Sequence, residues 1–414
     1  MPEKGENNAE EDSIPFTKIY SMYQDTHVMI FIGFGFLMTF LRRYGFSALS
    51  LNLLLAVISI EWSLIVRGFF SDHFRDHGKF AIKLESLLSA DFSAAVVLIS
   101  MGVMLGKFTP MQYILMTVIE IPVAVVIEWI VISKLKINDA GGSIILHTFG
   151  AYFGLACSWA FRKPIQRTHK HEGSIYHSDQ LAMIGSIFLW ICWPSFNAAT
   201  SDPQDGRERA VLNTVISLVG STIATFLVSQ AVDHQRKFDM VTIANSTLAG
   251  GVAIGTVANV VLTPVFSLLI GFIAGTVSVI GYKFLTPYLT NRFGLHDTCG
   301  VHNLHGMPGL IAGISSVLVV VNPEGKYGNS IAELYDGVRT TMNGESGFVY
   351  GVQAIHQLIA LLIVVCASIV AGLLTGFFLR LRFIRQIRDD EHFSDADFFE
   401  TPHDFEILTN GKSE

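Results

Sequence analysis

Charge is what this chain has least of. Only 15% of its 414 residues are Asp, Glu, Lys or Arg, where soluble domains carry about 25%. Half are apolar or aromatic, and the mean hydropathy is +0.46. A soluble fold has too few polar groups here to cover that much apolar surface. The composition excludes disorder, collagen-like repeats and coiled coil, and leaves an all-α polytopic membrane protein as the class. Positive charge is also short: 28 Lys and Arg stand against 35 Asp and Glu, a net charge of −7. No basic cluster offsets it, which argues against nucleic acid as a partner. The four cysteines, Cys157, Cys192, Cys299 and Cys366, lie in or beside apolar stretches without a C-x-x-C pair, so neither a disulfide framework nor a structural zinc site is expected. There is no Walker motif, no dinucleotide fingerprint in a strand–helix context, and no nucleophile–base pair or metal cluster outside the apolar stretches. Neither an enzyme nor a cofactor is expected.

Residues 1–14, MPEKGENNAEEDSI, lack the basic start and apolar core of a signal peptide and read as a solvated acidic tail. Eleven apolar stretches follow, at 27–46, 47–70, 84–106, 109–133, 141–161, 179–199, 210–232, 240–262, 264–287, 300–321 and 350–381. Each is long enough to span a bilayer. Turn signals such as Gly106-Lys107 before Pro110, Lys163-Pro164, Asp202-Pro203 and Asn322-Pro323 separate them. The boundary at 262–264 rests on Pro264 alone. An odd count puts the two ends on opposite sides. A modest Lys/Arg excess, and above all Arg380, Arg382, Arg385 and Arg388 after the last stretch, places the C-terminus in the cytoplasm and the N-terminus outside. Three segments result: a polar N-terminal segment 1–24, a transmembrane domain 25–383 (halves about 27–161 and 179–321, then 350–381), and an acidic tail 384–414. Phe393, Phe398, Phe399 and Phe405 interrupt the tail's acids. Docking on a cytoplasmic partner, docking on the protein's own inner face, and disorder all remain open for it.

The strongest signal is a repeat. DAGGSIILHTFG at 139–150 and DTCGVHNLHGMPG at 297–309 each place a His eight residues after an Asp, inside a Gly-rich start to an apolar stretch. Five stretches separate the two copies, so they enter the membrane from opposite faces. This is the pattern of an inverted five-helix repeat with a pseudo-two-fold axis in the membrane plane. Such an axis brings His147 and His305 together near the midplane, roughly two turns in from Asp139 and Asp297. One intramembrane His is most simply a satisfied core residue. Two at matched positions point to a pore. His302 and His356 lack such a match and read as structural, although His302 lies one turn from His305. Asp139 and Asp297 head their helices and are expected to cap free amides. A second role for Asp139 is to gather cations at an outer pore mouth. Glu128 reads as a structural carboxylate, with Glu120 and Glu61 as weaker candidates.

The runs Gly33–Phe40 (GFGFLMTF), Asp139–Gly154, Trp193–Phe196 (WPSF), Thr247–Gly251 (TLAGG) and Asp297–Gly309 resemble the Rh glycoproteins, a branch of the ammonium transporter superfamily. The likeness spans about 25 to 400, and the tail DDEHFSDADFFETPHD resembles that of the non-erythroid members. It implies the ammonium-transporter fold and a homotrimer in the plasma membrane with one pore per subunit, in contact with lipid. His147 and His305 would line the lumen, and Phe92 and Phe196 would close the outer vestibule. Asp139 and Glu128 also fall on family positions. Family members usually begin with a further span and a glycosylated outer loop. Here a short acidic segment precedes the GFGF helix, and the sequon at Asn245, which opens the eighth stretch on the inner side, is expected to be unused.

The resemblance makes ammonia or ammonium the expected substrate. Burying a bare ammonium in hydrocarbon costs many kcal/mol, so a dry lumen favours neutral ammonia. Neutral imidazoles suit it, each offering one donor and one acceptor. No ring of carboxylates or carbonyls is suggested that could replace the hydration shell of sodium or potassium. Carbon dioxide or another neutral gas fits the same lumen. A non-conducting structural subunit and an ammonium sensor acting through the tail are the alternatives of another class. The twin histidines speak against the structural subunit, which has no need of them.

Overall fold

The computed structural model describes residues 16–201, 204–321, 334–338 and 349–402. The N-terminal tail 1–14, Asp202-Pro203, Asn322-Pro323 and the tail beyond 402, all read above, lie outside the described residues. Among the described residues every regular element is a helix. In a bilayer a helix satisfies its own backbone groups, as an open strand edge cannot.

Among the described residues, nine helices are long and apolar enough to cross a membrane: Gly45–Phe70, Leu84–Met104, Pro110–Lys134, Ser143–Phe161, Tyr176–Ala198, Asp205–Val232, Pro264–Phe293, His302–Val321 and Tyr350–Leu379. They coincide with nine of the eleven expected stretches. The other two are helical but broken. The first begins at Phe16, inside the segment read as polar, because Ile19 turns inward and is buried. It runs as α1 (Phe16–Val28), a π-helical turn (Met29–Gly33) and α2 (Phe34–Leu37). Asn52 takes up the loosened turn by donating to the Ile30 carbonyl at 3.0 Å. We label the helix after Gly45 α3 (Gly45–Phe70), then α4 (Asp72–His77), α5 (Leu84–Met104), α6 (Pro110–Trp129), α7 (Phe149–Phe161), α8 (Tyr176–Ala198) and α9 (Gln204–Val232).

The second broken helix comprises α10 (Met240–Ser246) and α11 (Ala249–Gly255). Side chains from other helices collect the carbonyls freed around its break. Ser186 donates to Ala244, Ser221 to Thr247, Ser217 to Gly250, Asn197 to Gly251 and Ser143 to Val252. Non-helical backbone is tolerated at membrane depth only where protein supplies such partners. A new helix, α12 (Pro264–Ile280), then starts at Pro264, whose missing N–H suits a first helical position. α13 (Thr286–Phe293), α14 (Met307–Val321) and α15 (Tyr350–Leu379) complete the order.

α5 and the Ser143–Phe161 helix are buried on nearly every side and form the centre, while the other long helices keep apolar faces outward. Helix contacts rely on small residues, as expected where lipid gives no hydrophobic drive to helix pairing. At Gly271 of α12 a Cβ would lie 1.9 Å from the Ser217 carbonyl of α9.

The stretch after α15 folds back on one end of the bundle. Phe393 is buried and its N–H donates to the Gly106 carbonyl at 3.0 Å. Asp395 accepts from the Phe46 and Ser47 amides at 2.9 and 2.8 Å, capping α3 across 349 residues of chain. Of the three readings of the tail, residues 387–399 take the one in which it packs on the protein itself.

Candidate functional site

The two Asp-x7-His units have the same local build. Each has a left-handed glycine five residues before the His, Gly142 at φ 65° and Gly300 at φ 70°, a backbone state that only glycine adopts readily. Each then opens in a π-helical turn, Ser143–Thr148 and His302–Gly306, that carries the His. Wide turns of this kind re-aim side chains and recur at functional sites. The carboxylates hold the first amides: Asp139 accepts from Ile144 and Ile145 at 3.0 and 2.9 Å, and Asp297 from Val301 and His302 at 3.0 and 2.8 Å. Asp139 also accepts from the Thr256 hydroxyl at 2.6 Å.

The result brings His147 and His305 together in the core. Their Nδ1 atoms are 3.0 Å apart, their rings nearly parallel at 7° with centroids 5.1 Å apart, and they are 1% and 3% exposed. A bond between two Nδ1 atoms holds one proton. The ring that donates it keeps a lone pair on Nε2, and the ring that accepts it carries its own proton on Nε2. The pair therefore presents one acceptor and one donor away from itself. His147 Nε2 is buried with no partner among the described residues.

Aromatic rings wall this pair. Phe34 stacks on His305 with centroids 6.2 Å apart, and Trp193 on His147 at 5.7 Å. Phe196 also reaches His147 at 5.7 Å, and meets Phe92 edge-on at 4.7 Å. Beyond Phe92 lies a cavity of about 360 Å³ whose lining includes Glu128, Asp139, Leu146, Asn259 and Asp336. His305, His147, Phe196, Phe92, Asp139 and Glu128 fall along this line, whereas Asp297 heads the opposite unit.

Glu128 is held by Arg67 through two hydrogen bonds, at 3.0 and 2.5 Å, and Arg67 also bonds Ser93. Glu120 is buried and accepts from Ser100 at 2.5 Å, whereas Glu61 is exposed on the flank of α3. His302 packs edge-on to Tyr152, its Nδ1 buried with no partner among the described residues, and His356 bonds the Leu135 carbonyl. Sequence reasoning missed Trp193, whose indole N–H is buried beside His147 with no partner among the described residues. Trp193 stands in the same WPSF motif as Phe196, and the motif is the signal that could have found it. It also missed Phe34 and Arg67. An arginine inside an apolar stretch is the signal that could have found Arg67.

The model of the Ammonium Transporter Family matches residues 9–397. The chain is 43% identical to ammonium transporter Rh type B of Danio rerio, covering 96% of this chain and 85% of that one. It is 40% identical to ammonium transporter Rh type C of Rattus norvegicus, covering 98% and 81%. Among solved structures, Rh50 of Nitrosomonas europaea, of the Rhesus protein family of channels, superposes with a TM-score of 0.79 at 32% identity over 96% of each chain. A sensor Amt protein shares the fold, with a TM-score of 0.74 at 17% identity. On these likenesses, the chain belongs to the ammonium transporter family, in its Rh glycoprotein branch.

Proposed function

We propose that the protein moves ammonium across a membrane as neutral ammonia, through a pore past His147 and His305. The observation that carries this reading is the Nδ1–Nδ1 bond at 3.0 Å in a core otherwise walled by Phe34, Trp193, Phe196 and Phe92. Ammonia has one lone pair and three donors. It can accept from the Nε2–H of one imidazole and donate to the bare Nε2 of the other, so its few hydrogen bonds are replaced without a charge entering the core. An ammonium ion has four donors and no lone pair, and would leave the Nε2–H facing a cation in a poorly solvated place. Ammonium reaching the cavity beside Asp139 and Glu128 leaves its proton there with water, and ammonia passes Phe92 and Phe196, which exclude water. Net flow then follows the ammonia gradient.

The same reading makes the protein a homotrimer in the plasma membrane, with channel domain 25–383, an outer N-terminal segment and a cytoplasmic tail 384–414. Purified protein in reconstituted vesicles tests the substrate. Ammonia uptake should follow the pH gradient and ignore an imposed potential. Current that scales with ammonium concentration would refute a neutral passage, and uptake of carbon dioxide without ammonia would replace the substrate. Protease treatment of intact cells tests the orientation. A C-terminal tag should survive, and its cleavage from outside would reverse it.

A further inference from the structure

We infer that α1 positions the two gate phenylalanines through a pair of polar braces, Asp25 to Ser195 and His27 to Asp91. The inference rests on the gate reading of Phe92 and Phe196 above, and deepens it by naming what holds the rings. The two braces land on the residues directly before those rings. Ser195 Oγ donates to Asp25 Oδ2 at 2.5 Å, and Ser195 precedes Phe196 on α8. His27 Nδ1 lies 3.0 and 3.1 Å from the Asp91 carboxylate, and Asp91 precedes Phe92 on α5.

Asp25 and His27 are two residues apart, so they point about 200° away from each other around α1. α1 is thus wedged between α5 and α8, and reaches one with each side. In a bilayer, lipid tails are as apolar as the helices, so polar contacts and close packing fix how helices sit against each other. A shift or rotation of α5 against α8 would open the 4.7 Å edge-on contact between Phe92 and Phe196. The braces oppose that motion at the level of the rings themselves.

The His27–Asp91 brace is the stronger by chemistry. Asp91 is 1% exposed, and the carboxylate has its hydrogen bonds from His27. A buried carboxylate that loses its partner seeks another position. The His27 ring is itself held between Tyr23 and Phe31, with centroids 5.3 and 4.5 Å away. Neither Asp25 nor His27 is assigned contact with the passing molecule. They are positioning residues.

The experiment compares methylammonium with ammonium uptake in reconstituted vesicles, because the larger probe reports how tightly the rings close. Three backgrounds are used: the natural chain, the chain without gate rings (Phe92→Ala with Phe196→Ala), and the braced-again chain (His27→Asp with Asp91→His). His27→Ala should raise the methylammonium-to-ammonium ratio by about tenfold, the factor expected for losing a hydrogen bond to a charged group, and Ser195→Ala by about threefold. Neither should change the ratio further once the gate rings are gone. His27→Asn, which keeps an amide near the Nδ1 position, and the swapped pair should restore the natural ratio. A residue that merely supports the fold would act alike with and without the rings, and that outcome overturns the proposal. So does an unchanged ratio in His27→Ala and Ser195→Ala when removal of the rings does change it. If removing the rings leaves the ratio unmoved, the gate reading itself fails. Should His27→Ala not assemble, Ser195→Ala and His27→Asn decide the matter.

Discussion

The two Asp-x7-His units match in their middles and differ at their ends. Around the histidines, the left-handed glycine, the π-helical turn and the capping carboxylate recur in both. The Asp139 unit then opens on a cavity of about 360 Å³ lined in part by Glu128, Asp139 and Asp336. The Asp297 unit ends against a cation. Lys107 is fully buried and donates to the His296 carbonyl at 2.8 Å and to Ser158 at 3.0 Å, and His296 in turn pairs with Glu172 at 2.6 Å. Burial pulls the Lys107 ammonium down to about 8, against the pull of Asp297 and Glu172 in the other direction. Phe393 of the tail packs on His296, with centroids 6.0 Å apart. Shared geometry is confined to the turns that carry the two histidines. The ends are built by unrelated segments, one open and lined in part by carboxylates, the other covered and holding a buried lysine. A carboxylate-lined mouth gathers cations, while a buried ammonium repels them.

The largest expected effect comes from breaking the symmetric middle. His147→Ala or His305→Ala removes one half of the bonded pair and strands the other imidazole, at a cost of about 1–3 kcal/mol for an unpaired buried group. Conduction should be lost, or replaced by an ammonium current, in a protein that still assembles. Wild-type ammonia flux without current in both single variants would show that the pair is not the selective element. Next comes the ring that borders only one unit. Phe196→Ala removes a large apolar side chain without adding charge. It should admit water and weaken the discrimination between ammonia and ions several-fold, the range expected from a contact worth about 0.5–1.5 kcal/mol. Unaltered water permeability and selectivity would take Phe196 out of the gate.

How much of this was legible depended on how local each feature is. The apolar stretches are read directly, and the histidine pair followed from a repeat that the chain carries twice. Phe92 and Phe196 came through the family resemblance, since nothing in ADF or WPSF alone says the rings meet. The broken helix at 240–255 read as one ordinary stretch, because its break is satisfied by Ser143, Asn197, Ser217 and Ser221, each distant in sequence. Glu128 was recognisable as a carboxylate in need of a partner, but Arg67 lies 61 residues away. The acids of the tail gave no hint that Asp395 alone would reach back to α3.

That reach gives a third, smaller expectation, directed at the covered end. Asp395→Ala removes the side chain that caps Phe46 and Ser47, and with it an anchor between the tail and α3. A lost cap of this kind costs about 1 kcal/mol. The detergent-solubilised protein should melt a few degrees lower, and the chain after Arg388 should be cut faster by protease, with ammonia flux through the middle of the lumen kept. A tail that stays protected in Asp395→Ala would mean that Phe393 and the Gly106 contact suffice to hold it.

The smallest effect is expected at the open end, and it is set by pH. Burial pushes the Asp139 carboxyl up from 3.8 to about 6, against hydrogen bonds from Thr256, Ile145 and Ile144 that favour its anion. A raised value means that the folded protein holds this proton more tightly than the unfolded chain does. The group's contribution to stability is therefore complete below about pH 3.8 and is lost as pH rises through about 6. At neutral pH the fold keeps an ionised Asp139 at a cost, and the anion both caps the turn that carries His147 and charges the cavity mouth. Ammonia flux, corrected for the free ammonia present, should fall about two- to fivefold as pH drops through 6, the range for losing one charge at a helix N-terminus. Asp139→Asn keeps the shape but cannot ionise. It should flatten this step, and should gain stability relative to the natural protein at pH 7 but not at pH 4. The same inflection persisting in Asp139→Asn would assign the titration to another group and leave the two mouths alike in their response to protons.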